Sequence, residues 1–162
     1  MTIELVGHDP AWADAYASAA DEIRAALGPV ATSVEHVGST AIAGIVAKPR
    51  IDVLILVKRY DPEAVYREPL VSLGYVYDHR DELHVLFKGS RDGTPFNLHV
   101  VERDAEEATR MIVFRDYLRS HPEEARRYED LKKDLAGRFS DGDAYAEAKS
   151  SYVGEVLRRA RR

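Results

Sequence analysis

Residues 35–57, EHVGSTAIAGIVAKPRIDVLILV, decide the reading of this chain. The run Ile51-Asp52-Val53-Leu54-Ile55-Leu56-Val57 is apolar on both faces except for one acid. That pattern predicts a central, buried strand rather than an edge strand. A carboxylate inside such a strand needs a partner, because taking the ion out of water costs several kcal/mol. Upstream, a short strand over Thr32–Val37 ends at Gly38. Gly38-Ser39-Thr40 then begins a turn in which glycine lets backbone N–H groups approach an anion closely. Pro49 biases Lys48 away from helix. Gly38-Ser39 and Asp52 therefore form the first candidate constellation, open to two readings: a phosphate and metal site, or a capping serine beside a salt-bridged aspartate.

Working outward, Asp9-Pro10 predicts a helix start, and Ala11–Leu27 a helix that Gly28-Pro29 stops. Asp61-Pro62 predicts a second helix reaching about Leu73, with Pro69 in its second half. Tyr75–Asp78, Leu83–Lys88 and Pro95–Glu102 read as strands, the last two joined through the loop GSRDG, residues 89–93. From Ala105 the pattern turns helical. Met111, Phe114 and Leu118 recur at helical spacing up to His121-Pro122. Ala125, Tyr128, Leu131, Leu135 and Phe139 form a second stripe. Asp141-Gly142-Asp143 breaks the chain, Asp143 being placed to cap a last helix that carries Tyr145, Lys149, Tyr152, Val156 and Leu157. The order predicts an α+β fold: a small mixed β-sheet with an N-terminal helix, an inserted helix and a three-helix C-terminal part.

Alternation on the last strand puts Asn97 and His99 on one face and Phe96, Leu98 and Val100 on the other. The apolar face goes to the core, so His99, with His84 on the partner strand, borders whatever the opposite face lines. On the helices, Arg115 with Arg119, Tyr128 with Lys132 and Tyr145 with Lys149 are spaced i,i+4 and share faces. Their readings are a phosphate-binding wall or solvated helix faces.

The chain has 162 residues, enough for one self-sufficient domain over 1–162, with residues 1–103 forming the sheet part and 104–162 the helical part. A formal net charge of −5 argues against a generally basic nucleic-acid binder. Seventeen Arg stand against six Lys, and cysteine is absent, which removes disulfides, thiolate catalysis and Cys-type zinc sites. No apolar run reaches the length of a membrane span, and MTIELVGHDP does not read as a signal peptide, so cytoplasm is the expected compartment. The chain lacks a P-loop, a GxGxxG fingerprint, a GxSxG elbow and an HExxH motif.

Taken in order, residues 35–57, NLHVVE (97–102), FRDYLRSHPEEARRYEDLKKDLA (114–136) and AYAEAKSSYV (144–153) resemble the GrpB family across nearly the whole chain. The resemblance implies a nucleotidyltransferase-like fold of the DNA polymerase β type. It also implies a nucleotide or other phosphate-bearing small molecule as ligand, a divalent metal (Mg²⁺ or Mn²⁺), and possible nucleotidyl transfer or, alternatively, a degenerate binding module linked to coenzyme A metabolism. In some bacteria a similar domain is fused to dephospho-CoA kinase. Carried over, Gly38 and Ser39 match the turn that holds a triphosphate, and Asp52 matches the first acid of an Asp-x-Asp strand. Asp52 and His99 are the expected catalytic and metal-binding pair. Gly38, Ser39, Thr40, Lys48, Arg115, Lys132, Tyr145 and Lys149 are the expected ligand contacts. The chain departs from the pattern at Leu54, where the second carboxylate would fall, and at Asn97, where many relatives carry histidine. Glu35 and Glu102 are the candidates for a replacement acid.

Overall fold

The computed structural model describes residues 4–138 and 142–161. Helix α1 spans Ala11–Leu27. Its first turn is capped by Asp9, whose Oδ1 accepts the Ala11 N–H at 2.9 Å. Strand β1 (Ala31–Val37) leads into a single 3₁₀ turn over Ser39–Ala41, and β2 is Ile51–Val57. Helix α2 (Ala64–Ser72) is followed by β3 (Val76–Arg80), β4 (Val85–Arg91) and β5 (Thr94–Glu102). Three helices close the chain: α3 (Glu106–Ser120), α4 (Pro122–Arg138) and α5 (Gly142–Ala160).

The sheet order is β1-β2-β5-β4-β3. β2 runs parallel to β5 and antiparallel to β1, while β4 pairs antiparallel with both β5 and β3. This is the mixed sheet expected, with β2 inside it. One face carries Ile51, Val53, Ile55, Val85, Phe87, Phe96, Leu98 and Val100 and packs on Trp12, Ile23, Tyr66 and Leu70 of α1 and α2. On the other face Val37, Leu54, Leu56 and Val101 pack on Ala108 at the start of α3. That second face is covered by apolar side chains only in part, and Asp52 lies toward its open end, opposite Val37 of β1 and Asn97 of β5.

Two local expectations are corrected. Asp61 does not cap α2; its carboxylate pairs with Arg80 at 3.0 Å, and the helix begins at Ala64. The 89–93 segment is not a five-residue loop. Both strands continue through it, leaving Asp92-Gly93, with φ of 51° and 82°, as a two-residue turn. Positive φ at both central residues is what a tight turn between twisted strands requires, and Asp-Gly supplies it. Pro69 is tolerated within α2, because the ring removes one donor from a helix that ends three residues later. Phe139 and Asp141 lie outside the described residues, as does the side chain of Asp143.

The segment between the 3₁₀ turn and β2 is tied from two sides. Val6 and Ala47 exchange two backbone hydrogen bonds. Val46 donates its N–H to Glu129 Oε2 at 2.7 Å and accepts at its carbonyl from Lys132 Nζ. Two side chains one helical turn apart on α4 thus grip one peptide unit and its neighbour. Among the described residues, no helix is long and apolar enough to cross a membrane.

Candidate functional site

Asp52 is the second residue of β2, and its side chain is 16% exposed. His99, two positions beyond its neighbour Asn97 on β5, donates Nε2–H to Asp52 Oδ1 at 3.0 Å. Arg50 Nε lies 3.5 Å from the same oxygen. Burial alone would raise the Asp52 pKa, but the His99 hydrogen bond, Arg50 and the more distant Lys149 hold it below the ordinary carboxylate value. Gly38, at φ 76°, passes directly over the other oxygen. The buried acid of the sequence thus finds two partners, a histidine and an arginine.

A cavity of about 140 Å³ opens beside it, lined by Gly38, Ser39, Thr40, Lys48, Arg50, Asp52, Tyr128, Tyr145, Ala146 and Lys149. Residues 38–52 form one wall, and α4 with α5 form the other. Lys48 Nζ lies 4.6 Å and Lys149 Nζ 4.8 Å from the centre of the Tyr145 ring. A π-face attracts a cation, so one buried tyrosine helps hold two ammonium groups at the same cavity. Arg50 Nε is buried and has no hydrogen bond, only its ion pair with Asp52. Lys48, Arg50, Lys149 and Asp52 are the charged side chains that line the cavity among the described residues.

The structure brings seven of the expected residues to this cavity: Gly38, Ser39, Thr40, Lys48, Asp52, Tyr145 and Lys149. His99 sits behind Asp52. Arg115 is elsewhere: it is buried, and Nη1 pairs with Glu35 Oε2 at 3.2 Å and with the His36 carbonyl at 3.1 Å, while Nε holds Asp116 at 2.9 Å. Lys132 is also off the cavity wall, committed to the Val46 carbonyl. Burial, reinforced by Lys149 and only partly opposed by Glu129, drops its pKa to about 7. The i,i+4 spacing identified helix faces correctly but could not say which neighbour each face meets. Arg50, Tyr128 and Ala146 also line the cavity and were not among the expected ligand contacts, although Tyr128 shares the helix face singled out with Lys132.

The replacement acids are likewise accounted for. Glu35 is Arg115's partner, and Glu102 accepts the Tyr60 N–H at 2.9 Å at the far end of the sheet, opposite Val57. Leu54 is fully buried in the second apolar cluster. Two Mg²⁺ ions about 3.5–4 Å apart need several hard oxygen donors shared between them. Asp52 offers one carboxylate, already paired, among cations. This donor set does not fit a magnesium pair.

Beyond the cavity, a relay extends across the sheet. His99 Nδ1 meets His84 Nδ1 at 2.9 Å, and His84 Nε2 lies 3.3 Å from Asp81 Oδ2. His84 was expected on the strand beside His99; it instead immediately precedes β4, where Leu86 pairs with His99, and the sequence singled out neither Asp81 nor His79. A larger cavity of about 540 Å³ lies across the 3₁₀ turn, lined by His8, His36, Thr40, Arg119 and Arg126 among others, and it does not include Asp52.

Comparison with known proteins places the fold. Among solved structures, the crystal structure of conserved protein GrpB from Enterococcus faecalis matches with a TM-score of 0.84 at 27% identity, covering 97% of this chain and 96% of that one. The Cid1 poly(U) polymerase, in an H336N mutant bound to MgATP, matches with a TM-score of 0.57 at 16% identity over 82% of this chain and 44% of its own, a likeness of fold. Among curated relatives, UPF0157 protein BH1888 of Halalkalibacterium halodurans is 39% identical, with 98% of this chain and 83% of that protein covered. Dephospho-CoA kinase of Mycobacterium bovis is 29% identical over 96% of this chain, which spans 45% of that protein. The family model described as GrpB protein matches residues 2–159, so the chain belongs to the GrpB family, with a fold like that of the Cid1 poly(U) polymerase.

Proposed function

We propose that this protein binds a phosphate-bearing small molecule, a nucleotide being the first candidate, in the cavity beside Asp52. The observation that carries the reading is the charge arrangement: Lys48, Arg50 and Lys149 converge on a half-enclosed space under a glycine turn. An anion there relieves their mutual repulsion and meets backbone N–H groups of the turn. Asp52 then orients Arg50 and His99 rather than holding a metal pair, because the missing partner acid at Leu54 leaves it alone. The match to dephospho-CoA kinase makes a coenzyme A precursor the second ligand to try.

A second reading, metal-assisted nucleotidyl transfer at Asp52 and His99, draws support from the fold shared with a polymerase solved with MgATP. The two readings separate in a thermal-shift panel of ATP, GTP, CTP, UTP and dephospho-CoA, each with and without Mg²⁺ and Mn²⁺. A ligand at 100 times its Kd stabilises by about 2.7 kcal/mol, a rise in Tm of roughly 5–10 °C at this size. The first reading expects a shift without metal that Lys149→Met abolishes. A shift that needs metal, is lost in Asp52→Ala and is accompanied by pyrophosphate release establishes the second. A flat panel with well-folded protein overturns both.

A further inference from the structure

The outer end of the histidine relay is built like a metal site. His79 ends near the close of β3, Asp81 follows it, and His84 immediately precedes β4, so one hairpin supplies all three side chains. Their ligand atoms lie within 4.8 Å of one another. His79 Nε2 is 3.1 Å and His84 Nε2 3.3 Å from the same oxygen, Asp81 Oδ2. Ligands about 2.0–2.1 Å from a tetrahedral ion sit roughly 3.3 Å apart, so two of the three separations already match.

With the histidines neutral, the hydrogen bonds around this triad assign its lone pairs. His79 Nδ1 lies 2.6 Å from Asp78 Oδ2, a carboxylate that only accepts, so the proton of a neutral His79 is on Nδ1 and its Nε2 is bare. At the other side, His99 gives Nε2–H to Asp52, so its Nδ1 is bare and accepts from His84 Nδ1. His84 therefore also turns a bare Nε2 inward. Asp81 is locked in place by its other oxygen, which accepts the N–H groups of Leu83 (2.8 Å) and His84 (3.0 Å). With both imidazoles neutral, two lone pairs and one carboxylate oxygen thus converge on a single point where a cation fits; without one, His79 Nε2–H donates to Asp81 Oδ2. Each imidazole is oriented by an outer partner, Asp78 or His99, as metal-bound histidines are.

We propose that His79, Asp81 and His84 bind one transition-metal dication of the Zn²⁺ class, at a site separate from the phosphate cavity and joined to it by the His84–His99–Asp52 relay. Two nitrogens and one oxygen suit zinc and its neighbours rather than Mg²⁺. Three protein ligands leave a fourth position for a small molecule or water. The proposal does not depend on the phosphate cavity being occupied.

The test is titration of the chelator-stripped full chain with Co²⁺, whose visible spectrum reports coordination geometry, followed by competition with Zn²⁺. One equivalent is expected to bind with a low-coordinate spectrum and to be displaced by Zn²⁺. His79→Gln and Asp81→Asn should each weaken binding more than tenfold. Asp78→Asn should weaken it by about tenfold or more through the outer contact alone. His79, Asp78 and Asp81 are exposed, so these variants are expected to keep the wild-type circular dichroism and Tm. Absence of Co²⁺ binding overturns the proposal. So does binding that survives His79→Gln but is lost in Asp52→Ala, which would put the ion on Asp52 and His99 instead.

Discussion

A Cβ atom on Gly38 would lie 2.7 Å from Oδ2 of Asp52. The turn and the acid are fitted to each other, and the backbone at Gly38 already has the positive φ of 76° that side chains avoid. Gly38→Ala therefore combines left-handed strain with a clash against a side chain that His99 and Arg50 hold in place. The expected loss is about 1–3 kcal/mol, read as a lower midpoint in urea denaturation, together with loss of the ligand-induced Tm shift.

Lys149 and Arg115 were both expected to face phosphate, and their environments now separate them. Lys149→Met removes a cation from the cavity wall without breaking an ion pair, so ligand affinity should fall more than tenfold while stability stays within about 0.5 kcal/mol. Arg115→Met strands Glu35 and the His36 carbonyl, and should cost roughly 2 kcal/mol of stability while leaving the affinity of the folded protein unchanged. Denaturation and calorimetric titration of both variants give the comparison.

Leu54→Asp restores the missing carboxylate in sequence but puts it at a fully buried position among Val37, Leu56 and Val101. The expected result is a destabilisation of about 3 kcal/mol or more, measured by denaturation, with no gain of Mg²⁺-dependent ATP turnover.

His36 is buried, stacked on Tyr16 with ring centres 4.7 Å apart, and hydrogen-bonded to Thr40 Oγ1 at 3.0 Å. Burial, helped by Arg119, lowers its pKa from 6.5 to about 4. Between these values the unfolded chain binds the proton and the folded chain does not, so stability rises with pH across that window and falls as pH drops through it. The difference corresponds to about 3 kcal/mol. Denaturation midpoints from pH 4 to 7 should change more steeply in the wild type than in His36→Gln, which keeps a polar partner for Thr40 and cannot titrate.

The central strand and its acid were readable because burial leaves a plain mark: seven residues with one carboxylate, next to a glycine turn. Lys48 and Lys149 came from family resemblance, and the helix spacing marked Tyr145 and Lys149 as one face. What the sequence did not reveal depends on chain reversals of several ångströms. Arg50 both pairs with Asp52 and lines the cavity, and nothing in its local pattern singled it out for the cavity. Arg115 and Lys132 share their helical spacing with true cavity residues, and only the packing of α3 and α4 turns them toward Glu35 and Val46. His79 and Asp81 lie in a hairpin whose register decides that they face His84, and the strand boundaries there ran two or three residues past those expected from the pattern.

The grip of Glu129 and Lys132 on Val46 is made entirely through the main chain of residue 46. Any side chain that leaves the local backbone unchanged preserves both bonds, so position 46 is free to vary while 129 and 132 are not. Replacing either helix residue would instead release the strand-side wall from the helices that complete the cavity. The tolerance of the chain to substitution is therefore lopsided at this seam: permissive on the loop, strict on the helix.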